Sequence, residues 1–203
     1  MQILLADDHQ LIRDVMIAYM HASHGIEVVP ASTRDEALKE IKTNGPFACA
    51  LVDLRMPGVR SAFDLLPVVE ANAPNPVLLF SGAATFSDLF AAQRLGMIGF
   101  IQKTMPAKDV ARVVVDVING SNDLPPMVSF TSHMKAPCHM PDMLSEEDCL
   151  ILGMVADGAR NSEIANGLGL TRSRVENRLR KIYKAIGVSS RLAAANFVNA
   201  QVM

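Results

Sequence analysis

Four short apolar runs each end in a residue able to handle a metal ion or a phosphoryl group. Leu4-Leu5-Ala6 runs into Asp7-Asp8, and Leu51-Val52 into Asp53. Leu79-Phe80 runs into Ser81, and Phe100-Ile101-Gln102 into Lys103. Carboxylates gathered at one place repel one another and require a cation. Hard oxygen donors with open positions suit Mg2+, which keeps waters and takes one or two carboxylates plus a phosphate. Lys103 offers positive charge to phosphoryl oxygens, and Ser81 a hydroxyl donor. Asp53 is then the natural nucleophile, forming an aspartyl phosphate. Catalysis would be positioning and charge neutralisation of an in-line transfer. Singly, each residue has a plainer use: Asp7 or Asp8 as a helix cap, Ser81-Gly82 as a turn, Lys103 as a surface lysine. Their conjunction at the ends of separate strands favours the chemical reading.

The elements that must bring them together are legible in the periodicity. Strands are expected at Gln2–Ala6, Glu27–Pro30, Ala48–Asp53, Pro76–Ser81 and Ile98–Gln102. Most are nearly continuous apolar runs, as befits strands buried on both faces of a parallel sheet. Helices are expected near 9–22, 33–43, 61–72, 85–95 and 106–119, with Ala37, Leu38 and Ile41, and Val110, Val113, Val114 and Val117, at helical spacing. Alternating strands and helices imply an α/β, doubly wound, five-stranded parallel sheet with right-handed crossovers. Ligands bind such a sheet beyond the carboxyl ends of its strands, where these side chains fall. Pro67 inside the third helix predicts a kink or an early stop.

Residues 121–143 break the rhythm. Ser121-Asn122, Pro125-Pro126, Pro137 and Pro141 make poor helix and poor strand, and the stretch reads as a linker, long for a structureless one. From Leu144 the pattern is helical, near 145–157, 161–168, 171–186 and 189–202, with Ser145 and Asp148 spaced as a capping box. The short helix, glycine-containing turn and longer helix of 161–186 have helix-turn-helix grammar. On the longer helix, Val175, Leu179, Ile182 and Ile186 form one stripe. Ser173, Asn177, Arg180 and Lys184 lie opposite, flanked by Arg174, Arg178 and Lys181. Those types suit phosphates and the major-groove edges of G and A.

Charge is consistent with that division. Residues 1–120 carry 10 Lys+Arg against 13 Asp+Glu, whereas 144–203 carry 8 against 6. The modest basic excess therefore sits at the C-terminal end. Cys49, Cys138 and Cys149 share no metal-type spacing, and their odd, sparse count fits a reducing compartment. No basic, then apolar leader opens the chain, and no apolar run approaches the ~20 residues of a membrane span. A cytoplasmic protein without membrane partners is expected.

The order Asp-Asp, Asp, Ser, Lys on five βα units resembles the CheY-type receiver domain of response regulators, whose sheet is flavodoxin-like. DLRMPG (Asp53–Gly58) resembles the loop after its phosphoacceptor, and GMIGFIQK (Gly96–Lys103) the segment bearing its switch aromatic and lysine. The resemblance covers residues 1–120. It implies Asp53 as phosphoacceptor, Asp8 and Asp53 as Mg2+ ligands, Asp7 acting directly or through water, and the Arg55 carbonyl completing the site. It also implies Ser81 and Phe100 as a coupled pair, the hydroxyl turning toward the phosphoryl group as the ring moves inward. Read without the resemblance, Phe100 is a buried strand aromatic. The chain departs from the family in having Thr104, not proline, after Lys103, and no glycine within Val59–Ala62.

Leu144–Arg191 resembles the LuxR/NarL-type DNA-binding domain, with Leu-Ser and acids leading, Glu163-Ile164-Ala165 in the positioning helix, Val175 and Leu179 in the recognition helix, and IYKAIGVSSR after it. The resemblance covers residues 144–203, a small all-α domain of four helices. Together the two point to the NarL/FixJ subfamily. They imply a sensor histidine kinase or phosphotransfer protein as donor, double-stranded DNA as target, and a homodimer when active. The last helix, with Leu192, Ala195, Val198 and Val202 at helical spacing, dimerises in that family or packs within the domain. Candidate DNA contacts are Arg172, Ser173, Arg174, Glu176, Asn177, Arg178, Arg180, Lys181 and Lys184. Glu176 stands where the family has lysine and Arg178 where it has histidine. A carboxylate near phosphates weakens binding unless it accepts from a cytosine amino group. Glu176 is also four residues from Arg172 and from Arg180, the spacing of a helical ion pair.

Two other functions remain at this point. One is a regulator acting through protein contacts, with DNA binding weakened or lost through Glu176. The other is a haloacid-dehalogenase-type phosphatase, which needs a second Asp two residues past the nucleophile, where this chain has Arg55. The expectation is a self-phosphorylating receiver that uses a phosphodonor and is not a turnover enzyme.

Overall fold

A computed structural model describes residues 1–121, 124–130 and 144–200, with Phe86 and Glu146 described in backbone alone. The chain divides into two compact units, one built on the strands and reaching Phe130, the other holding the C-terminal helices. From the N-terminus β1 (Gln2–Ala6), α1 (Gln10–His24), β2 (Glu27–Ala31), α2 (Arg34–Asn44) and β3 (Ala50–Val52) lead to a 3-10 turn (Ala62–Leu65). Then come α3 (Leu66–Asn72), β4 (Val77–Ser81), α4 (Phe86–Arg94), β5 (Gly99–Gln102) and α5 (Ala107–Ile118). All pairings are parallel, in the order β2-β1-β3-β4-β5.

The register levels the carboxyl ends of the strands. Ala6 pairs with Val52, Val52 with Leu79, and Ser81 with Gln102. The residues that follow β1 and β3, Asp7 and Asp53, therefore emerge side by side, with Ser81 next in line and Lys103 beyond it. β3 is shorter than the expected Ala48–Asp53, but its ladder is not: the Ala48 amide donates to Gln2 O at 3.1 Å and the Asp53 amide to Ala6 O at 2.9 Å. The strands are buried because helices cover the sheet. Val110, Ala111, Val113, Val114 and Val117 of α5 join Ile3, Leu5, Leu51, Leu78, Phe80 and Ile101 in one apolar cluster. The expected helix over 61–72 resolves into the 3-10 turn and α3. Pro67 falls in the first turn of α3, where its missing N–H leaves no bond unmade.

One buried polar residue ties the strands together from their amino ends. The Asn72 side chain, fully buried, accepts from the Phe47 amide at 2.9 Å and donates to Phe47 O at 3.2 Å. It also donates toward Asn75 O and Pro76 O, both at 3.4 Å. It thus fixes the approaches to both β3, which leads into Asp53, and β4, which ends at Ser81.

The stretch expected to be linker is packed in part. Val128 and Phe130 are buried, and Val128 joins the apolar cluster of the sheet. Residues 122–123 and 131–143, the rest of that stretch with Pro137, Cys138 and Pro141, lie outside the described residues, as does Val202.

The C-terminal unit contains α6 (Glu146–Ala156), α7 (Asn161–Leu168), α8 (Arg172–Ala185) and α9 (Arg191–Asn199). Its helix starts are written in the sequence. Ser145 and Asp148 form the expected capping box, Thr171 accepts from the Arg174 amide at 3.3 Å, and Ser190 from the Ala193 amide at 3.1 Å. Gly169 ends α7 at φ 64°, left-handed backbone that favours glycine and sets the tight turn into α8. Val175, Leu179 and Ile182 point inward with Ile151, Ile164, Ala194 and Val198. In α9 the inward positions are Ala194 and Val198, whereas Leu192 is 71% exposed. The periodicity had grouped Leu192 with Val198. Six residues apart on a helix of 3.6 residues per turn, they point about 120° apart around the axis.

Candidate phosphoryl site and nucleic-acid face

The expected strand-end residues converge. Lys103, 10% exposed in its side chain, extends its ammonium between two fully buried carboxylates, 2.7 Å from Asp53 Oδ2 and 2.8 Å from Asp7 Oδ2. The first contact is a hydrogen bond. The second lacks hydrogen-bond geometry, since Asp7 Oδ2 has no hydrogen-bond partner, and is a contact of charge. Asp53 Oδ1 is likewise buried with no hydrogen-bond partner. Burying an unpaired carboxylate oxygen is costly, so this atom is either a source of strain or a place for a ligand.

Asp8 is more exposed and forms the rim. Its Oδ1 lies 2.6 Å from His9 Nδ1, which is also 3.2 Å from Asp7 Oδ1. The His9 amide donates to Asp7 Oδ1 at 2.9 Å, and the Arg13 guanidinium to Asp7 O. One donor atom each from Asp7, Asp8, His9 and Asp53 lie within 4.8 Å of one another, a spacing able to hold a metal ion. Sequence reading had not singled out His9. Its signal is only its place, directly after the two acids.

The remaining expected residues fall around this centre. Ser81 is fully buried, but its hydroxyl donates to Ala83 O at 3.3 Å and not toward Asp53. Phe100 is buried, 2% exposed. Arg55 is exposed, on the loop two residues past Asp53. Elsewhere in this unit, burial pushes the Cys49 thiol up to about 12, which keeps it protonated and unreactive at neutral pH.

On α8, Ser173, Arg174, Asn177, Arg180, Lys181 and Lys184 are exposed on the side away from the buried stripe. Thr171, Ser173, Arg174, Asn177, Arg178 and Lys181 line a shallow polar depression on this helix. Glu176 pairs with Arg172 at 2.9 Å, the first of its two candidate partners, while Arg180 reaches Asn177 Oδ1 at 3.4 Å. Arg178 is committed within its own domain: it contacts Glu147, Asp148 Oδ1 at 2.8 Å and Ser145 Oγ at 3.1 Å. It fastens the recognition helix to the start of α6. Burial works to raise the Asp148 carboxyl, but hydrogen bonds from Ser145 and Arg178 outweigh it and hold the carboxyl below its ordinary value.

Two family models match the chain: the response regulator receiver domain over residues 3–115 and the luxR family of bacterial regulatory proteins over 142–198. The chain belongs to the response-regulator family. It is a response regulator with a receiver domain and a LuxR-type DNA-binding domain, the architecture of two-component transcription regulators. It is 28% identical over 202 residues to the response regulator protein VraR of Staphylococcus aureus, covering 95% of this chain and 93% of VraR. It is 25% identical over 204 residues to the glycerol metabolism activator of Pseudomonas putida, covering 95% and 92%. The structure of RcsB from Salmonella enterica serovar Typhimurium, bound to promoter rprA in the presence of phosphomimetic BeF3-, shares the fold with a TM-score of 0.66 at 16% identity, covering 98% of each chain. No helix among the described residues of this response regulator is long and apolar enough to cross a membrane.

Proposed function

We propose that this response regulator accepts a phosphoryl group on Asp53 from a histidine kinase or phosphotransfer protein, and that the modification controls DNA binding by the α8 face. The observation that carries the reading is the state of Asp53: fully buried, one carboxylate oxygen on Lys103, the other without a hydrogen-bond partner. An Asp53 oxygen forms a bond to phosphorus as the bond from phosphorus to the donor's leaving group breaks; the leaving group takes a proton from solvent. Lys103 neutralises charge on the phosphoryl oxygens, and the Ser81 hydroxyl, buried beside the site, donates to one of them after leaving Ala83 O.

The carboxylates fit a hard divalent cation, with the Arg55 carbonyl as a further ligand. Asp8 and Asp53 would hold Mg2+, Asp7 directly or through water. When bound, it neutralises charge on the phosphoryl oxygens. On the output side, Ser173, Arg174, Asn177, Arg180, Lys181 and Lys184 are exposed for phosphates and base edges. Arg172 offsets the Glu176 carboxylate, which favours DNA binding over the purely protein-mediated alternative. Arg178 contributes by positioning α8. The exposed Leu192 on α9 suits the homodimer expected on DNA.

The test is affinity for a duplex selected from random sequence on the phosphodonor-treated full chain. Phosphodonor and Mg2+ should tighten wild-type binding by about tenfold, within the usual range of coupling between sites. Asp53→Ala should not respond. Equal affinity of wild type with and without donor, despite a formed adduct, would exclude control by phosphorylation.

A further inference from the structure

β5 ends the sheet, so among the described residues one side of its backbone has no strand neighbour. Residues 124–130 fill that side. The Phe100 amide donates to Val128 O at 2.8 Å. Val128 itself is held in a turn, its amide donating to Pro125 O at 2.8 Å, with the Ser129 amide donating to the same oxygen at 3.2 Å. Its side chain is fully buried. The approach is close because β5 has a glycine opposite. A Cβ at Gly99 would lie 2.9 Å from both Val128 Cγ1 and Val128 O, and 3.0 Å from Leu124 Cδ1. The clash with Val128 O is with backbone, so a side chain at 99 requires the segment to move. Pro125-Pro126 limits the number of extended states this strap loses on docking.

β5 is therefore held at two points three residues apart. Phe100 holds the strap, and Lys103 holds Asp53 through its ammonium and β4 through its amide, which donates to Ser81 O at 3.1 Å. The strap also lies on the covalent path from the receiver to the helix-turn-helix domain. We infer that residues 124–130 form a switch strap, whose docking on the edge of β5 is coupled to the phosphoryl site at the carboxyl end of that strand. Phosphoryl at Asp53 draws Lys103 and Ser81 to its oxygens and fixes the end of β5. A docked strap fixes the middle. Each event stabilises the other, and the direction in which the chain leaves the receiver is set by whether the strap is docked.

This rests on Asp53 as phosphoacceptor, and coupling between two sites must be reciprocal. The experiment uses the full chain with beryllofluoride and Mg2+ as phosphoryl mimic. Hydrogen exchange is read at the Phe100, Val128 and Ser129 amides, and beryllofluoride affinity is measured for wild type, Gly99→Ala and Val128→Ala. Val128→Ala truncates the buried side chain without touching β5, so it stands if Gly99→Ala folds poorly by circular dichroism. Saturating mimic should slow exchange at the three amides by about tenfold, and each variant should lose affinity for the mimic by a similar factor. Mimic that binds while exchange at these amides stays unchanged would overturn the strap alone, as would variants that bind it as tightly as wild type. A wild type that binds no mimic would overturn the phosphoacceptor reading and the strap with it.

Discussion

Lys103→Met should both destabilise the receiver and abolish phosphoryl acceptance. The lysine is the cation between two carboxylates that are fully buried. Methionine fills most of the same volume, so the loss is of charge and not of packing. Removing one partner of a buried ion pair leaves an uncompensated charge and costs about 3–5 kcal/mol. Here two carboxylates are left facing each other, which adds repulsion. The distinguishing sign is metal dependence: Mg2+ should recover more stability in Lys103→Met than in wild type, because the cation replaces the missing charge. Urea unfolding of the receiver with and without Mg2+ checks this. Phosphoryl acceptance should stay undetectable at any Mg2+ concentration, since the metal does not replace the donor that Lys103 directs at the phosphoryl oxygens. A variant as stable as wild type without metal would mean that the buried carboxylates do not need the ammonium.

Asn72→Ala should act at a distance from the site through the strands that carry it. The buried Phe47 amide loses its acceptor, and the carbonyls of Phe47, Asn75 and Pro76 lose a donor. An orphaned buried group costs ~1–3 kcal/mol, so with the small cavity the total should be about 2–4 kcal/mol. Because the bonds grip the chain before β3 and before β4, hydrogen exchange should rise first in those strands. The metal donors themselves are untouched, so Mg2+ affinity of the folded fraction should change little. Exchange that rises equally throughout the receiver, or only in α1 and α2, would contradict the local role.

Asp53, Asp7, Asp8 and Lys103 were legible because each ends an apolar run and a parallel sheet with level strand ends brings such positions together. The C-terminal helices were legible through their apolar spacing and through Ser145 and Asp148, spaced as a capping box whose bonds stay within the first turn. What escaped depended on distant partners. Asn72 looks like an ordinary polar residue ending a helix; its four bonds reach loops that are neighbours only after folding. Arg178 lies near the face suited to DNA by periodicity, yet the acids of α6 claim it. The strap over 124–130 reads as linker by composition, and only the absence of a side chain at Gly99 lets it close on β5. Leu192 and Val198 shared an apolar character that the helix geometry separates.

The measurement that tests the account most directly is intact mass of the full chain after incubation with a small phosphodonor and Mg2+, for wild type and Asp53→Ala. A single phosphoryl adduct on wild type and none on Asp53→Ala is the predicted result. An adduct that persists on Asp53→Ala, or a folded wild type that takes up neither phosphoryl nor beryllofluoride, would contradict it.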